Sequence, residues 1–299
     1  MIRLSNEELR IELLEPISDC ARLGPRFCGG GFIWQVYDRF ERPLLSGPEW
    51  PEPAPSPFNG QGLPESFRHR TLEGRPLTWR GDRGVALGAG ELRIDPDGQV
   101  RLSAPCTWQI TRHATSIEFF TTENIAGLHY AIVRRIELAG REVRSSTRLS
   151  NLSPTESLVL EWFAHPFFAL VDGRVGAEIA CDATLADNPG FTLQNGALTQ
   201  IRRFTAATDG HMDRGLQLPP GRPLHAKLAH PILTHVGFET SFVPSACVIW
   251  GNDRTFSFEP YLALNLAPGE VRGWSLTYRF GASSGMATPD GTSRIDPSR

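Results

Sequence analysis

Proton chemistry near neutral pH calls for an imidazole or a perturbed carboxyl, and two stretches of this chain hold such groups in apolar surroundings. In Glu161-Trp162-Phe163-Ala164-His165-Pro166-Phe167-Phe168-Ala169-Leu170, a single histidine lies among large aromatic and aliphatic residues. Burial disfavours the imidazolium unless an acid group sits nearby, so His165 calls for a carboxylate partner. Thr255-Phe256-Ser257-Phe258-Glu259-Pro260-Tyr261-Leu262 offers one in a similar setting. A buried glutamate is rare unless paired. The expectation is that His165 and Glu259 meet in the fold as an acid/base pair. The blander readings are a core histidine bonded to backbone and an edge carboxylate held by Arg254. Pro166 favours the sharper one, because it ends strand pairing beside the imidazole and leaves the ring free to face a cleft. Phe256, Phe258 and Tyr261 around Glu259 argue for a site at the base of an apolar pocket, whose aromatic walls would cover the C–H faces of a sugar while a few polar groups fix its hydroxyls. Phe167 and Tyr261 are candidate substrate-binding residues.

Other residues with chemical potential read less sharply. His211 and Asp213 resemble metal ligands in type, but His225, His230 and His235 follow without the spacing of a metal-binding helix or triad, so no metal is expected. Ser66 lacks the Gly-x-Ser-x-Gly elbow of a serine hydrolase. Glu161 or Asp209 could join Glu259 as the second acid of a glycosidase, with no local signal choosing between them. Gly29-Gly30-Gly31 is followed by neither Gly-Lys-Ser/Thr nor a helix, so a close backbone approach is expected there and not a phosphate loop.

The elements that must position these groups read as strands. Glu8 to Leu14 alternates polar and apolar residues up to Pro16. Three hairpins follow from turn chemistry: Glu91–Asp95 with Gln99–Ser103, Arg134–Leu138 with Arg141–Leu149, and Phe191–Gln194 with Ala197–Ile201 across Asn195-Gly196. Trp108–Thr111, Ser116–Thr121, Ala246–Trp250, Thr255–Leu262 and Gly273–Phe280 add more. No long segment carries helical periodicity. The prolines between Ser46 and Pro64 prescribe an extended loop, expected at a pocket rim. The predicted class is all-β, with two large packed sheets in one domain over residues 1–281 and a disordered tail over 282–299.

Composition narrows the function classes. The chain of 299 residues has 40% hydrophobic and 21% charged residues and a formal net charge of -3. That is an ordinary globular composition without the basic face of a nucleic-acid binder. Arg134-Arg135 and Arg202-Arg203 are expected on solvated strand edges. Five scattered cysteines show no CxxC pair and read as free thiols of a reducing compartment. With no signal-peptide core and no apolar run of membrane-spanning length, a cytoplasmic location and no membrane partner are expected.

At this point the residues resemble a known family. His165-Pro166-Phe167-Phe168 is similar to the His-Pro-Tyr-Phe segment of the aldose 1-epimerase (galactose mutarotase) superfamily. Phe258-Glu259-Pro260, Leu266-Ala267-Pro268-Gly269-Glu270 and Ser275–Phe280 resemble its carboxy-terminal pattern, so the likeness covers Arg134 to Phe280 best. The resemblance implies a β-supersandwich that interconverts the anomers of a free sugar without a cofactor, His165 acting as general acid and Glu259 as general base. It also implies a pH profile with one carboxylate-like and one imidazole-like limb, an ionised Glu259 raising the His165 pKa. The family's His-Gly-Gly segment is replaced by Asn59-Gly60-Gln61-Gly62, leaving His69 as a substitute, and its amino-terminal Gly-Arg by Arg26-Phe27-Cys28-Gly29, leaving Arg26. Those departures open a sugar phosphate as substrate, with Arg26, Arg68 or Arg70 meeting the phosphate. They also open two alternatives on the same fold: a non-catalytic carbohydrate-binding protein and a sugar lyase.

Overall fold

Alternation of side chains across extended backbone decides the architecture. The computed structural model describes residues 1–282, and among these the regular structure is almost wholly antiparallel strand, gathered into four sheets. A ten-stranded sheet holds the hairpin Leu128–Ala139/Glu142–Asn151 and the final strand Val271–Phe280. A six-stranded sheet runs in the order His211–Asp213, Ala246–Gly251, Thr255–Leu266, Leu158–Ala164, Glu65–Arg68, with Phe168–Ala169 also pairing Thr255–Leu266. A three-stranded sheet over Ile2–Asp38 and a four-stranded sheet over Trp79–Pro105 complete the four. The expected all-β class with two large packed sheets is therefore correct, and the two smaller sheets are additions to it. The tail predicted from residue 282 lies, from residue 283 on, outside the described residues.

The predicted hairpins form close to their expected bounds. Asn195 and Gly196 take φ of 50° and 82°, the left-handed pair that the tight turn between Phe191–Gln194 and Ala197–Gln200 requires. Gly30 meets the expectation of close approach: a Cβ there would lie 2.5 Å from the Trp108 ring.

Each large sheet turns one face inward. In Leu158–Ala164 the even residues Leu158, Leu160, Trp162 and Ala164 enter the core, as do Phe256, Phe258, Leu262, Leu264 and Leu266 of Thr255–Leu266. They meet the ten-stranded sheet through edge-on ring contacts of Trp274 with Trp162 and Phe67, at 5.3 and 6.1 Å between centroids. The odd residues of both strands face the other way, where Phe163, Val248 and Tyr261 form a small separate cluster.

One expectation fails here. Arg134 is not a solvated edge residue but 1% exposed, facing inward from the ten-stranded sheet between Ile132 and Ile136. Its guanidinium meets the carboxylate of Glu65, itself 2% exposed, and Ser145 Oγ bonds the same Glu65 oxygen at 2.6 Å. Arg–Arg in sequence suggested two exposed cations, whereas strand alternation turns one of them into the core, where only an ion pair makes it tolerable. Arg202 and Arg203 lie past the end of Ala197–Gln200, outside any strand, and Arg202 pairs with Asp209 at 2.7 Å.

Because the Arg134–Glu65 pair ties the ten-stranded sheet to the strand Glu65–Arg68, removing one partner leaves an uncompensated buried charge. Arg134→Met is expected to lower unfolding free energy by about 3–5 kcal/mol in denaturant titration, and Arg134→Met/Glu65→Leu to recover most of that. Equal losses in the single and double variants would contradict this role.

Candidate active site

The register of two strands brings the chemistry together. Leu158–Ala164 pairs antiparallel with Thr255–Leu266, placing Phe163 opposite Tyr261. Residues of one parity share a face, so Phe163 and the following His165 look out on the same side as Ser257, Glu259 and Tyr261. The neighbouring strand Ala246–Gly251 sets Val248 beside Glu259 and Trp250 beside Ser257. On the other flank Glu65–Arg68 sets Ser66 beside Phe163 and Arg68 beside Glu161. The same strand that sends Glu65 and Phe67 inward thus sends Ser66 and Arg68 to this outer face.

His165 Nε2 lies 3.4 Å from Glu259 Oε1, with both side chains almost fully buried. Nδ1 of the same ring is 3.0 Å from Ser257 Oγ, so Nε2 is the nitrogen that faces the carboxyl. Tyr261 OH donates to the other carboxyl oxygen, Oε2, at 3.4 Å, and Arg68 Nη1 donates to that phenol at 3.5 Å. Four rings enclose the imidazole: Phe167 at 4.4 Å, Trp250 at 5.8 Å, Phe163 at 5.9 Å and Phe27 at 6.3 Å between centroids. Tyr261 stacks on Phe163 at 4.9 Å with planes 5° apart. The pair sits in a cavity of about 250 Å³, walled also by Arg26, Arg68 and Arg214.

The backbone explains why His165 is held here. Its N–H donates to Pro64 O at 2.9 Å, and Phe167 N–H donates to Gly62 O at 2.8 Å, with Pro166 between them free of any ladder bond. The proline-rich loop forms part of the rim as expected, since Pro48, Phe58 and Asn59 line the cavity. It is anchored by Asn252 Nδ2 donating to Pro48 O at 2.9 Å and by Ser46 Oγ donating to Arg254 O at 2.8 Å.

Burial sets the electrostatics. It pushes the Glu259 carboxyl up to about 7, against the opposing pull of Arg26, the Tyr261 hydroxyl, Arg68 and Arg214. Burial also holds His165 well below the usual imidazole value, with Arg26 adding in the same direction. Ionised Glu259 raising the His165 pKa, as the sequence reading had it, is therefore reversed. Desolvation dominates at both groups, drawing the carboxyl towards its protonated form and the imidazole towards its neutral form.

The other candidate residues divide cleanly. Arg26, Arg68 and Tyr261 line the cavity with His165 and Glu259. Phe167 packs under the imidazole as a fully buried support. His69 does not reach the pair: it lines a neighbouring groove of about 570 Å³, and its Nδ1 accepts from Trp79 Nε1 at 3.0 Å. Glu161 lies behind Arg68 at 3.7 Å, and Asp209 is engaged by Arg202, so neither joins Glu259 in the cavity. Arg254 pairs with Asp253 at 3.0 Å rather than with Glu259. His211 and Asp213 are 3.6 Å apart, and His230 is used by backbone groups of Leu44, Ile232 and Leu233. Sequence reasoning missed Ser257, Trp250 and Arg214. Ser257 was accessible through parity, two residues before Glu259 on the same strand. Trp250 and Arg214 depended on cross-strand register, which local sequence does not carry.

A raised carboxyl costs stability when it must ionise. Unfolded glutamate ionises near 4.5 and folded Glu259 near 7, so folding takes up a proton in that window and stability falls as pH rises through it. Glu259→Gln removes the effect and is expected to be more stable than the parent at pH 8 by about 2–3 kcal/mol, with little difference at pH 4. Thermal unfolding at both pH values reads this directly. A variant less stable than the parent by the same amount at both would contradict the assignment.

Neither the family models nor the curated protein sequences compared with the chain match it. Solved structures do. A galactose mutarotase related enzyme from Lactobacillus acidophilus aligns with a TM-score of 0.60 at 12% identity, over 95% of this chain and 98% of that one. A galactose mutarotase-like protein from Lactobacillus casei aligns at 0.55 and 14% identity, over 94% and 99%. A galactose 1-epimerase from Lactobacillus acidophilus NCFM aligns at 0.51 and 11% identity, over 95% and 94%. The chain has the galactose mutarotase-like fold, as a representative far diverged in sequence.

Proposed function

We propose that the protein is an isomerase that interconverts the anomers of a free sugar, with His165 and Glu259 as its acid/base pair. The observation that carries this reading is the 3.4 Å contact of His165 Nε2 with Glu259 Oε1 in a cavity of about 250 Å³ walled by aromatic rings and guanidinium groups. Rings offer faces for sugar C–H groups, and the charged donors offer fixed points for hydroxyls. The reading treats residues 1–281 as one domain, consistent with a single large apolar cluster that draws on all four sheets.

The pair holds one proton, and anomer interconversion needs one proton to be given and one taken. When a sugar enters, its hydroxyls supply the hydrogen bonds that burial withholds, which favours the charged arrangement, imidazolium and carboxylate. Arg26 and the Tyr261 hydroxyl favour the carboxylate in the same way. Glu259 then removes the proton of the anomeric hydroxyl while His165 Nε2–H protonates the ring oxygen. The bond from the anomeric carbon to that oxygen breaks, its electron pair going to the oxygen, and a carbonyl forms. The aldehyde rotates, and closure on its other face returns both protons. Each group is therefore acid in one direction and base in the other. Ser257 Oγ fixes the ring orientation of His165 through Nδ1.

The directions of the pKa shifts give the pH profile. The one-proton pair is lost as pH rises past about 7, where Glu259 ionises with neutral His165 beside it. On the acid side it is lost only when the depressed imidazole also takes a proton, below the usual histidine range. Polarimetry on freshly dissolved α-glucose and α-galactose is expected to show accelerated mutarotation with a bell-shaped profile. Its alkaline limb lies near 7, set by the carboxyl and not by the imidazole. His165→Ala and Glu259→Gln are each expected to lower kcat by about 10²–10⁴-fold, the usual contribution of a positioned proton donor or acceptor. Ligand-dependent melting shifts without any acceleration would instead identify a sugar-binding protein on the same fold.

A further inference from the structure

The strand Thr255–Leu266 turns three polar side chains in succession to its outward face, Ser257, Glu259 and Tyr261, at every second position. Ser257 Oγ holds the imidazole of His165 through Nδ1 at 3.0 Å, and the Tyr261 hydroxyl is directed at Glu259. The terminal torsion of a glutamate is soft and roughly two-fold, so a carboxyl set among hydrocarbon has nothing of its own to decide which oxygen faces which neighbour. Here Oε1 faces His165 Nε2 at 3.4 Å, while Oε2 receives the Tyr261 hydroxyl, also at 3.4 Å. The two contacts divide the carboxyl into a side that exchanges a proton and a side that is held.

Tyr261 is itself fixed from several sides. It is 3% exposed, its ring stacks on Phe163 at 4.9 Å, and Pro260 restricts the backbone between it and Glu259. Burial pushes its phenol up, with Glu259 adding in the same direction, so the hydroxyl keeps its proton and donates it. The phenol oxygen accepts from Arg68 Nη1 at 3.5 Å. Arg68 is anchored by its other nitrogens: Nε donates to Arg70 O and Nη2 to Thr71 O, both at 2.9 Å, and the Glu161 carboxylate is 3.7 Å from Nε. Those carbonyls belong to a turn closed by Thr71 N–H donating to Arg75 O at 2.9 Å. A continuous chain therefore runs from this turn through Arg68 and Tyr261 to Glu259 Oε2. The other groups that face Glu259 act differently. Arg26 and Arg214, from segments on two other sides, draw its carboxyl down through charge, and Cys247 on the adjoining strand is a neutral thiol whose pKa burial pushes up.

We propose that Tyr261 is a positioning residue for Glu259, held in turn by Arg68, and not a contact of the sugar. Its hydroxyl fixes Oε2, which leaves Oε1 turned to His165 and to the anomeric hydroxyl. The proposal rests on the epimerase reading and adds to it the group that sets the geometry of the carboxyl. Ser257 does the same for the imidazole, so one strand carries Glu259 and both side chains that orient the pair. Loss of the Tyr261 hydroxyl frees the carboxyl to turn and removes a donor that favours its ionised form.

The test uses Tyr261→Phe, which keeps the ring on Phe163, together with Arg68→Met and the double variant. The ¹³C shift of the Glu259 carboxyl is followed against pH, and kcat and KM for mutarotation of α-glucose and α-galactose are measured on the same proteins. In Tyr261→Phe the carboxyl is expected to titrate about 0.5–1 pH unit above the parent value of about 7, and the alkaline limb of kcat to move with it. There kcat is expected to fall about tenfold while KM stays within about twofold, a split that loss of a sugar contact would not produce. Arg68→Met is expected to shift the titration in the same direction, and to add less than about 0.3 unit in the double variant, because its effect runs through the phenol. Full additivity would show Arg68 acting on Glu259 by charge alone and overturn the chain. An unchanged titration, with KM raised at constant kcat, would make Tyr261 a sugar contact and overturn the proposal. If the parent protein accelerates no mutarotation, the epimerase reading fails and the titrations still decide: a shift upholds the hold of Tyr261 on Glu259, and its absence overturns it.

Discussion

The pairing of Leu158–Ala164 with Thr255–Leu266 is the constraint on which the site depends. With Phe163 opposite Tyr261, the outward parity of one strand leads into His165 and the outward parity of the other carries Ser257, Glu259 and Tyr261. A slip of one residue would send the carboxylate into the core and Phe258 or Pro260 into the cavity. Apolar packing holds the register: Trp162, Leu160 and Leu158 on one strand and Leu262, Leu264 and Leu266 on the other face the core together, and Trp162 is locked against Trp274 of the opposite sheet. The hydrophobic effect thereby fixes the position of two polar groups on the far side of the same sheet.

The second constraint is the buried pair Arg134–Glu65. Glu65 belongs to the strand whose alternate residues, Ser66 and Arg68, face the site, and its backbone carbonyl accepts from Cys28 N–H at 2.8 Å. Ser66 Oγ in turn donates to Arg26 O at 2.6 Å. Through these links one charged contact between the sheets fixes both the strand bearing Arg68 and the segment bearing Arg26. An ion pair in such surroundings contributes little net stability compared with apolar packing, and its importance shows only when one partner is removed and the other is left as an uncompensated buried charge.

Much of this was readable before the fold. Alternation and turn chemistry, Asn195-Gly196 above all, disclosed the all-β class, and the apolar settings of His165 and Glu259 marked them as a pair. What stayed hidden was long-range. Nothing local distinguishes Arg134 from Arg135, yet one faces the core and the other solvent, because inward parity is decided by partner strands. His69 looked suited to the site by type, but its strand ends at Arg68 and the ring turns to Trp79 instead. Pro260 offers no N–H to the ladder and argues against an interior strand by composition, though Thr255–Leu266 is paired on both sides. The sense of the proton shifts was also hidden, because burial is a property of the packed cavity and at Glu259 it outweighs the opposing pull of Arg26, Tyr261 and Arg68.

The central claim is that register and burial leave His165 and Glu259 sharing one proton, held by the carboxyl in the free protein. It is tested most directly by ¹⁵N chemical shifts of the His165 ring across about pH 5 to 8, the range in which an ordinary imidazole titrates. The account predicts a neutral ring with one protonated nitrogen throughout, and a carboxyl carbon of Glu259 that titrates near 7. An imidazolium at neutral pH beside a carboxylate already ionised at pH 5 would contradict it.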